Sequence, residues 1–222
     1  MLLIDSQIKA AIASGALTIE NFNDERLEAA SYDARIGDFA MECGTAVPTS
    51  IKDRGHIVVR PGEFVLIMTR ERFSLGGAIV ANLGLLSTLG RKGLQLLAGM
   101  QIDPGFDGHL AIAVHNVAPG EIVLRYEEEL VTIQFFELET NVEKPHRGNV
   151  DLKQGAFPKA DIEYVRFLRA PSLYKLNEEV QKLKKTVNSV NVLMPTLQVL
   201  TLANFAALVG VLIAIVGFLL VK

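Results

Sequence analysis

Gln101 to Asn116, QIDPGFDGHLAIAVHN, decides the fold. It opens on a turn signal: in Asp103-Pro104-Gly105 the proline presets φ and the glycine tolerates a positive one. It then runs as an extended strand. Alternation puts His109, Ala111, Ala113 and His115 on one face, and Leu110, Ile112 and Val114 on the other.

Similar short β-branched runs lie to either side, around Tyr32 to Ile36, Ile57 to Arg60, Phe64 to Thr69, Ala78 to Leu83, Ile122 to Leu124 and Leu130 to Leu138. Arg60-Pro61-Gly62 and Ala118-Pro119-Gly120 repeat the turn signal, and Gly76 and Gly77 read as a further turn. Short strands with frequent turns and almost no helix predict a mainly β sandwich, barrel or jelly roll from Ser31 to Glu139. A short helix, Ser6 to Ala13, precedes it, capped by Asp5 or Ser6 and ended near Gly15. Glu127, Glu128 and Glu129 read as a solvated loop, whereas Glu143 to Ala170 gives no clear element.

Composition narrows the function. With 222 residues, 50% hydrophobic and 21% charged, and a net charge of −3, the chain is neither disordered nor a strongly basic nucleic-acid binder. Cys43 is the single cysteine, so it makes no internal disulfide, and with four histidines there is no paired-cysteine zinc pattern and no predicted metal site. Met1 to Ala10 lacks the features of a signal peptide, and the folded part reads as cytosolic. GxSxG, HExxH, GxxxxGK[ST] and GxGxxG are all missing from the sequence.

The mean hydropathy of +0.30 has its source at the C-terminus, where no charge occurs between Lys185 and Lys222. Val199 to Val221 is a run of roughly 23 apolar residues, about 34 Å as a helix and enough to span a hydrocarbon core of about 30 Å. Upstream of it, Leu173, Leu176, Val180, Leu183, Val187, Val190, Met194 and Leu197 recur alternately three and four residues apart, which is the a/d seam of a coiled coil. Ser172 is a plausible N-cap, and Pro195 should kink or loosen the helix between coil and span. Lys182, Lys184 and Lys185 precede the span, so the positive side is N-terminal and the large domain faces the cytosol. The expected organisation is a β domain over 1–170, a coiled-coil stalk over 171–198 and a single-pass C-terminal anchor over 199–222.

Several segments, in order, resemble the dCTP deaminase branch of the trimeric dUTPase superfamily. They are the helix LIDSQIKAAIASGAL, then ASYDARIGD like S-x-D-x-R-x-G, VRPGEFVL like P-G-E-F-x-L, LLSTLGRKGL like G-R-S-S-L-x-R-x-G-L, QIDPGFDGHLAIAVHN like I-D-P-G-[FW]-x-G, and VTIQFFEL like I-x-Q-L-x-F. The resemblance implies a homotrimer with nucleotide sites shared between neighbouring subunits, its threefold axis extended to the membrane by the coil. On the matching positions it implies nucleotide contacts from Ser87, Thr88, Gly90, Arg91 and Gln134, with magnesium accompanying the nucleotide.

Two departures bear on activity. The family's proton-moving glutamate is Ala113 here, and a methyl cannot shuttle a proton; the arginine before the Ser87 motif is Leu86, which weakens the grip on a triphosphate. His115 is either a substitute base or a packing residue. Asp103 matches the superfamily aspartate that activates water, although Asp-Pro-Gly also makes a turn unaided; Asp33 is kept too, for structure or for the metal region. A partial echo of the family's C-terminal arm lies in DLKQGAF, with Lys153 and Gln154. Three functions follow: a degenerate, membrane-anchored nucleotide sensor or assembly module; a tethered dUTP or related pyrophosphatase using Asp103; and a trimeric scaffold.

Overall fold

The computed structural model describes residues 1–42, 47–97, 99–146, 157, 162, 163, 165 and 173–220, with the side chains of 173–175, 196 and 218–220 set aside. Cys43, Lys153, Gln154, Ser172 and Lys222 lie outside the described residues. The chain divides into two compact units, Met1–Tyr174 and Lys175–Lys222.

The first unit is mainly β. Its strands are β1 (Leu17–Glu20), β2 (Leu27–Glu28), β3 (Ser31–Glu42), β4 (Pro48–Ser50), β5 (His56–Val59), β6 (Phe64–Leu75), β7 (Ile79–Leu85), β8 (Leu94–Leu96), β9 (Gln101–Ile102), β10 (Asp107–Asn116), β11 (Ile122–Arg125) and β12 (Glu129–Glu137). Ten of them form one sheet in the order β8-β10-β6-β3-β12-β7-β9, with β1 on β6 and both β2 and β4 on β3; β5 and β11 form a separate ribbon. All the pairings are antiparallel.

The two longest strands bend the sheet. β3 pairs with β12 through Tyr32 to Arg35 and with β6 through Ile36 to Glu42, and its register against β6 slips between Ile36 and Ala40. β6 changes its neighbour from β3 to β1 after Thr69, and its register against β10 slips between His109 and Ala111. Backbones crowd where β3 turns the corner: a Cβ at Gly37 would stand 2.6 Å from the Thr69 carbonyl oxygen, so only glycine fits.

The core lies inside this bend. Tyr32, Phe73 and Phe135 are fully buried and meet ring to ring, while Leu110, Ile112 and Val114 of β10 face the same core. The ribbon contributes Ile57, Val59, Ile122 and Leu124, the buried half of its alternation. Each fully buried aliphatic side chain stabilises the fold by about 1.5–3 kcal/mol before entropy is counted.

Arg60–Gly62 and Asp103–Gly105 close as expected: Glu63 N–H donates to the Arg60 carbonyl at 2.9 Å and Phe106 N–H to that of Asp103 at 3.1 Å, with φ of +73° at Gly62 and +86° at Gly105. The N-terminal helix α1 (Asp5–Ser14) ends at Gly15, φ +77°. Its cap differs from expectation. Ile4 is the N-cap and its N–H donates to Gln7 Oε1 at 3.1 Å, whereas Asp5 accepts from Ser6 N–H inside the first turn. Two short helices also interrupt the β region, α2 (Ile51–Arg54) and α3 (Ser87–Arg91). The acidic run is no free loop: Glu129 starts β12 and pairs with Arg26, and Glu127 pairs with Arg70 at 3.3 Å.

The second unit is helical. A single helix, Leu173–Leu220, runs for 48 residues, and Pro195 does not end it. Its stretch Leu176–Gly217 is long and apolar enough to cross a membrane. Of the seam positions, Leu176, Val180, Leu183, Val187, Val190, Met194 and Leu197 are exposed on the single chain.

Candidate functional site

Asp103 stands at the end of β9, where its own carbonyl closes the turn. Gln101 Nε2 donates to Asp103 Oδ1 at 2.6 Å, and His146 Nδ1 stands 3.9 Å from Oδ2. The carboxylate is thus held from one side and still half exposed. His146 is delivered by a tie from beyond the sheet: its N–H donates to the Pro104 carbonyl at 2.7 Å, and its ring lies against Phe106 with centroids 6.0 Å apart. Gly105 makes room for this, since a Cβ there would come within 2.8 Å of Pro145.

The phosphate-binding candidates fall into two groups. Ser87, Thr88, Gly90 and Arg91 make up α3, in which Leu89 is buried and Arg91 Nη1 donates to Ser87 Oγ at 3.3 Å. Gln134 lies on β12, opposite Asn82 of β7, which is itself opposite Gln101 of β9. Three amides therefore stand in register across three strands, ending beside Asp103. α3 is not part of that row. β7 runs antiparallel to β9, so Asp103 lies level with the start of β7 and Ser87 follows its end, on the order of 15–20 Å away along the strand. One chain does not bring Asp103 and α3 together.

Ala113 pairs with Leu66, and its carbonyl accepts from Leu97 N–H at 2.8 Å. Ala111 and Ala113 pack on an apolar layer of Met41, Phe64, Leu66 and Met68, covered by Phe157 and Val165, which are 6% and 1% exposed. His109, placed with them by alternation, is instead buried against backbone where the register slips, its Nδ1 3.0 Å from the carbonyls of Thr69 and Glu71. His115 lies between Phe64 of β6 and Gln95 of β8, half buried.

The SYDARIG segment is structural where it can be read. Glu71, fully buried, accepts from Arg35 Nε at 2.7 Å, from Arg35 N–H at 2.8 Å and from Tyr32 Oη at 3.3 Å. Burial, reinforced by the Glu71 charge, pushes the Tyr32 hydroxyl up to about 12. Asp33 is buried beside Thr132, and burial raises its carboxyl above the ordinary range against the opposing hydrogen bond from Thr132. Among the described residues no group of three or more His, Cys, Asp or Glu is placed to hold a metal ion.

Sequence reading did not reach Gln101, Glu71 or His146. Gln101 had a signal, two residues before Asp103 in an extended segment. Glu71 and His146 had none, since both act on residues distant in the chain.

An antiparallel β fold with these motifs and a polar site at an Asp-Pro-Gly turn defines the class, and comparison with known proteins agrees. A family described as dCTP deaminase-like matches residues 2–138. The dCTP deaminase of Pyrococcus abyssi is 36% identical over 149 residues, covering 67% of this chain and 92% of that protein. The dUMP-forming dCTP deaminase of Beutenbergia cavernae is 33% identical over 189 residues, covering 76% and 98%. The crystal structure of 2′-deoxycytidine 5′-triphosphate deaminase from Agrobacterium tumefaciens superposes with a TM-score of 0.52 at 19% identity; the match covers 60% of this chain and 47% of that one, and it carries the fold alone. The chain belongs to the dCTP deaminase-like family, with a long apolar C-terminal helix beyond residues 2–138.

Proposed function

We propose that this protein is a membrane-anchored homotrimer that binds a deoxynucleoside triphosphate and does not deaminate it, serving as a nucleotide sensor or membrane assembly module. The observation that carries this reading is Ala113, a methyl in an apolar layer where deamination needs a proton carrier. The separation of α3 from Asp103 supports assembly, because neighbouring subunits would complete what one chain leaves apart. Magnesium enters as the counter-ion of the phosphates, since the described residues form no metal cage of their own. The charge-free run Val199 to Val221, most of it within the apolar stretch Leu176–Gly217, supplies the anchor, and Lys182, Lys184 and Lys185 ahead of it keep the N-terminal domain cytosolic.

The test is incubation of detergent-purified protein with dCTP, dUTP and related nucleotides plus magnesium, followed by mass spectrometry of bound and free species. Retention of unaltered nucleotide is the expected result. Conversion of dCTP to dUTP would sink the reading, and neither binding nor turnover would leave a trimeric scaffold.

A second reading is favoured by the surroundings of Asp103, a half-exposed carboxylate gripped by Gln101 with an imidazole nearby. It is hydrolysis of the nucleotide's phosphoanhydride. Release of pyrophosphate that disappears in Asp103→Ala, with the oligomer intact, is its signature.

A further inference from the structure

We propose that His146 is the proton acceptor of the Asp103 site, an assignment that rests on the hydrolytic reading and adds a catalytic residue from beyond residues 2–138, which the family description matches. The geometry is specific. Three constraints fix the segment before His146: Val142 N–H donates to the Gly77 carbonyl at 2.9 Å, His146 N–H donates to the Pro104 carbonyl at 2.7 Å, and Pro145 fills the space over Gly105. The imidazole is thereby set against the turn, with Phe106 beside its ring and Nδ1 directed toward Asp103 Oδ2 at 3.9 Å. Gln101 occupies the other carboxylate oxygen, so Asp103 cannot rotate away from the ring without losing a 2.6 Å hydrogen bond. Among the described residues, Asp103 is the charged group paired with the imidazole, and Phe106, against its ring, is neutral.

This arrangement divides the work: the backbone tie and Phe106 hold the ring, the carboxylate 3.9 Å away stabilises its cation through charge, and the far nitrogen takes the proton. His146 Nε2 accepts a proton from water while the water oxygen bonds to the α-phosphorus. The bond from that phosphorus to the bridging oxygen breaks, pyrophosphate leaves with the electron pair, and the imidazolium returns its proton to solvent. The products are a nucleoside monophosphate, pyrophosphate and one proton. The His146 side chain is 36% exposed, so water reaches it without any opening of the fold.

The test compares the full-length protein in detergent with His146→Gln, His146→Ala and Asp103→Ala, using dUTP with magnesium and following pyrophosphate release from pH 5 to 9. Glutamine keeps a donor for Asp103 and cannot carry the proton. Wild-type turnover should rise with pH, as it does for a reaction that needs a free base. His146→Gln should lose about 10²–10⁴-fold in kcat, flatten that profile and leave KM within about twofold, with free imidazole restoring part of the rate to His146→Ala. Turnover that needs Asp103 but survives His146→Gln with its pH profile intact overturns the assignment and leaves the hydrolytic reading standing. Turnover no higher in wild type than in Asp103→Ala removes the hydrolytic reading, and the assignment with it.

Discussion

Arg35 and Glu71 close on each other where β3 and β6 exchange neighbours, the guanidinium Nε 2.7 Å from Oε1 and the Arg35 backbone N–H 2.8 Å from Oε2. The carboxylate has no exposure and the arginine side chain only 12%, so neither charge has water to fall back on. Arg35→Ala strands a buried carboxylate and should cost about 3–5 kcal/mol, whereas replacing both residues with apolar ones of similar volume should cost less than the single change. Chemical denaturation of the full-length protein reads both, and equal losses would mean that the pair acts through packing.

Gly37 lies two residues on, with the Thr69 carbonyl oxygen 2.6 Å from where a Cβ would be. Gly37→Ala has to push β3 off β6 and should destabilise by about 1–3 kcal/mol, as overpacked sites do. Gly120, with open space around its Cβ position and no positive φ, is the control: Gly120→Ala should leave the denaturation midpoint nearly unmoved.

Asp33 links stability to pH. Burial raises its folded carboxyl above the ordinary range, so between the unfolded and folded values the native state holds the extra proton. Stability from this group is therefore greatest at low pH and is lost as pH rises through that window. Asp33→Asn removes the linkage while keeping a partner for Thr132. The variant should match or exceed wild-type stability at neutral pH and lose that advantage as the pH drops below the ordinary carboxylate range. Melting curves of both proteins across that range check the sign.

These residues also mark where the sequence could be read and where it could not. β11 alternates throughout, β10 from Leu110 and β12 from Val131, and those cores were legible within a residue or two. β6 was legible only as far as Thr69, because Arg70, Glu71 and Arg72 look like a polar loop until Arg35 arrives from another strand to neutralise Glu71. β8 and β9 are too short, at three and two residues, to show a period at all. In the site, Asp103 was legible from its turn, but its neighbour His146 is 43 residues away, and the contact exists only because the chain after β12 folds back over Gly105.

Ala113→Glu asks whether restoring the family acid restores the reaction. The new side chain would enter an apolar layer made by Met41, Leu66, Met68, Phe157 and Val165. Burying an unpaired carboxylate there costs stability, so the variant should melt lower, by roughly 1–3 kcal/mol, and still fail to convert dCTP. Ammonia release measured alongside the melt separates the two effects. Deamination by the single variant would mean that Phe157 and Val165 give way to substrate, and that only one atom group stands between this protein and its enzymatic relatives.

The seam on the C-terminal helix is an exposed apolar stripe among the described residues: Leu183 and Val187 are 64% and 54% exposed, beside Lys182, Lys184 and Lys185. A 3.5-residue repeat of this kind gains its stability from other copies of itself. Leu183→Asp puts a charge at a d position and should dissociate the stalk, while Lys185→Asp on the outer face should not. Crosslinking and sedimentation of the full-length protein in detergent distinguish three outcomes. Loss of the trimer in Leu183→Asp alone makes the coil the source of assembly. A trimer in both variants places assembly in the β domain, where α3 of one subunit would meet Asp103 of the next, and the coil then follows that symmetry without creating it. A monomeric wild type would dismiss the shared site, since Asp103 and α3 would have no neighbour to bring them together.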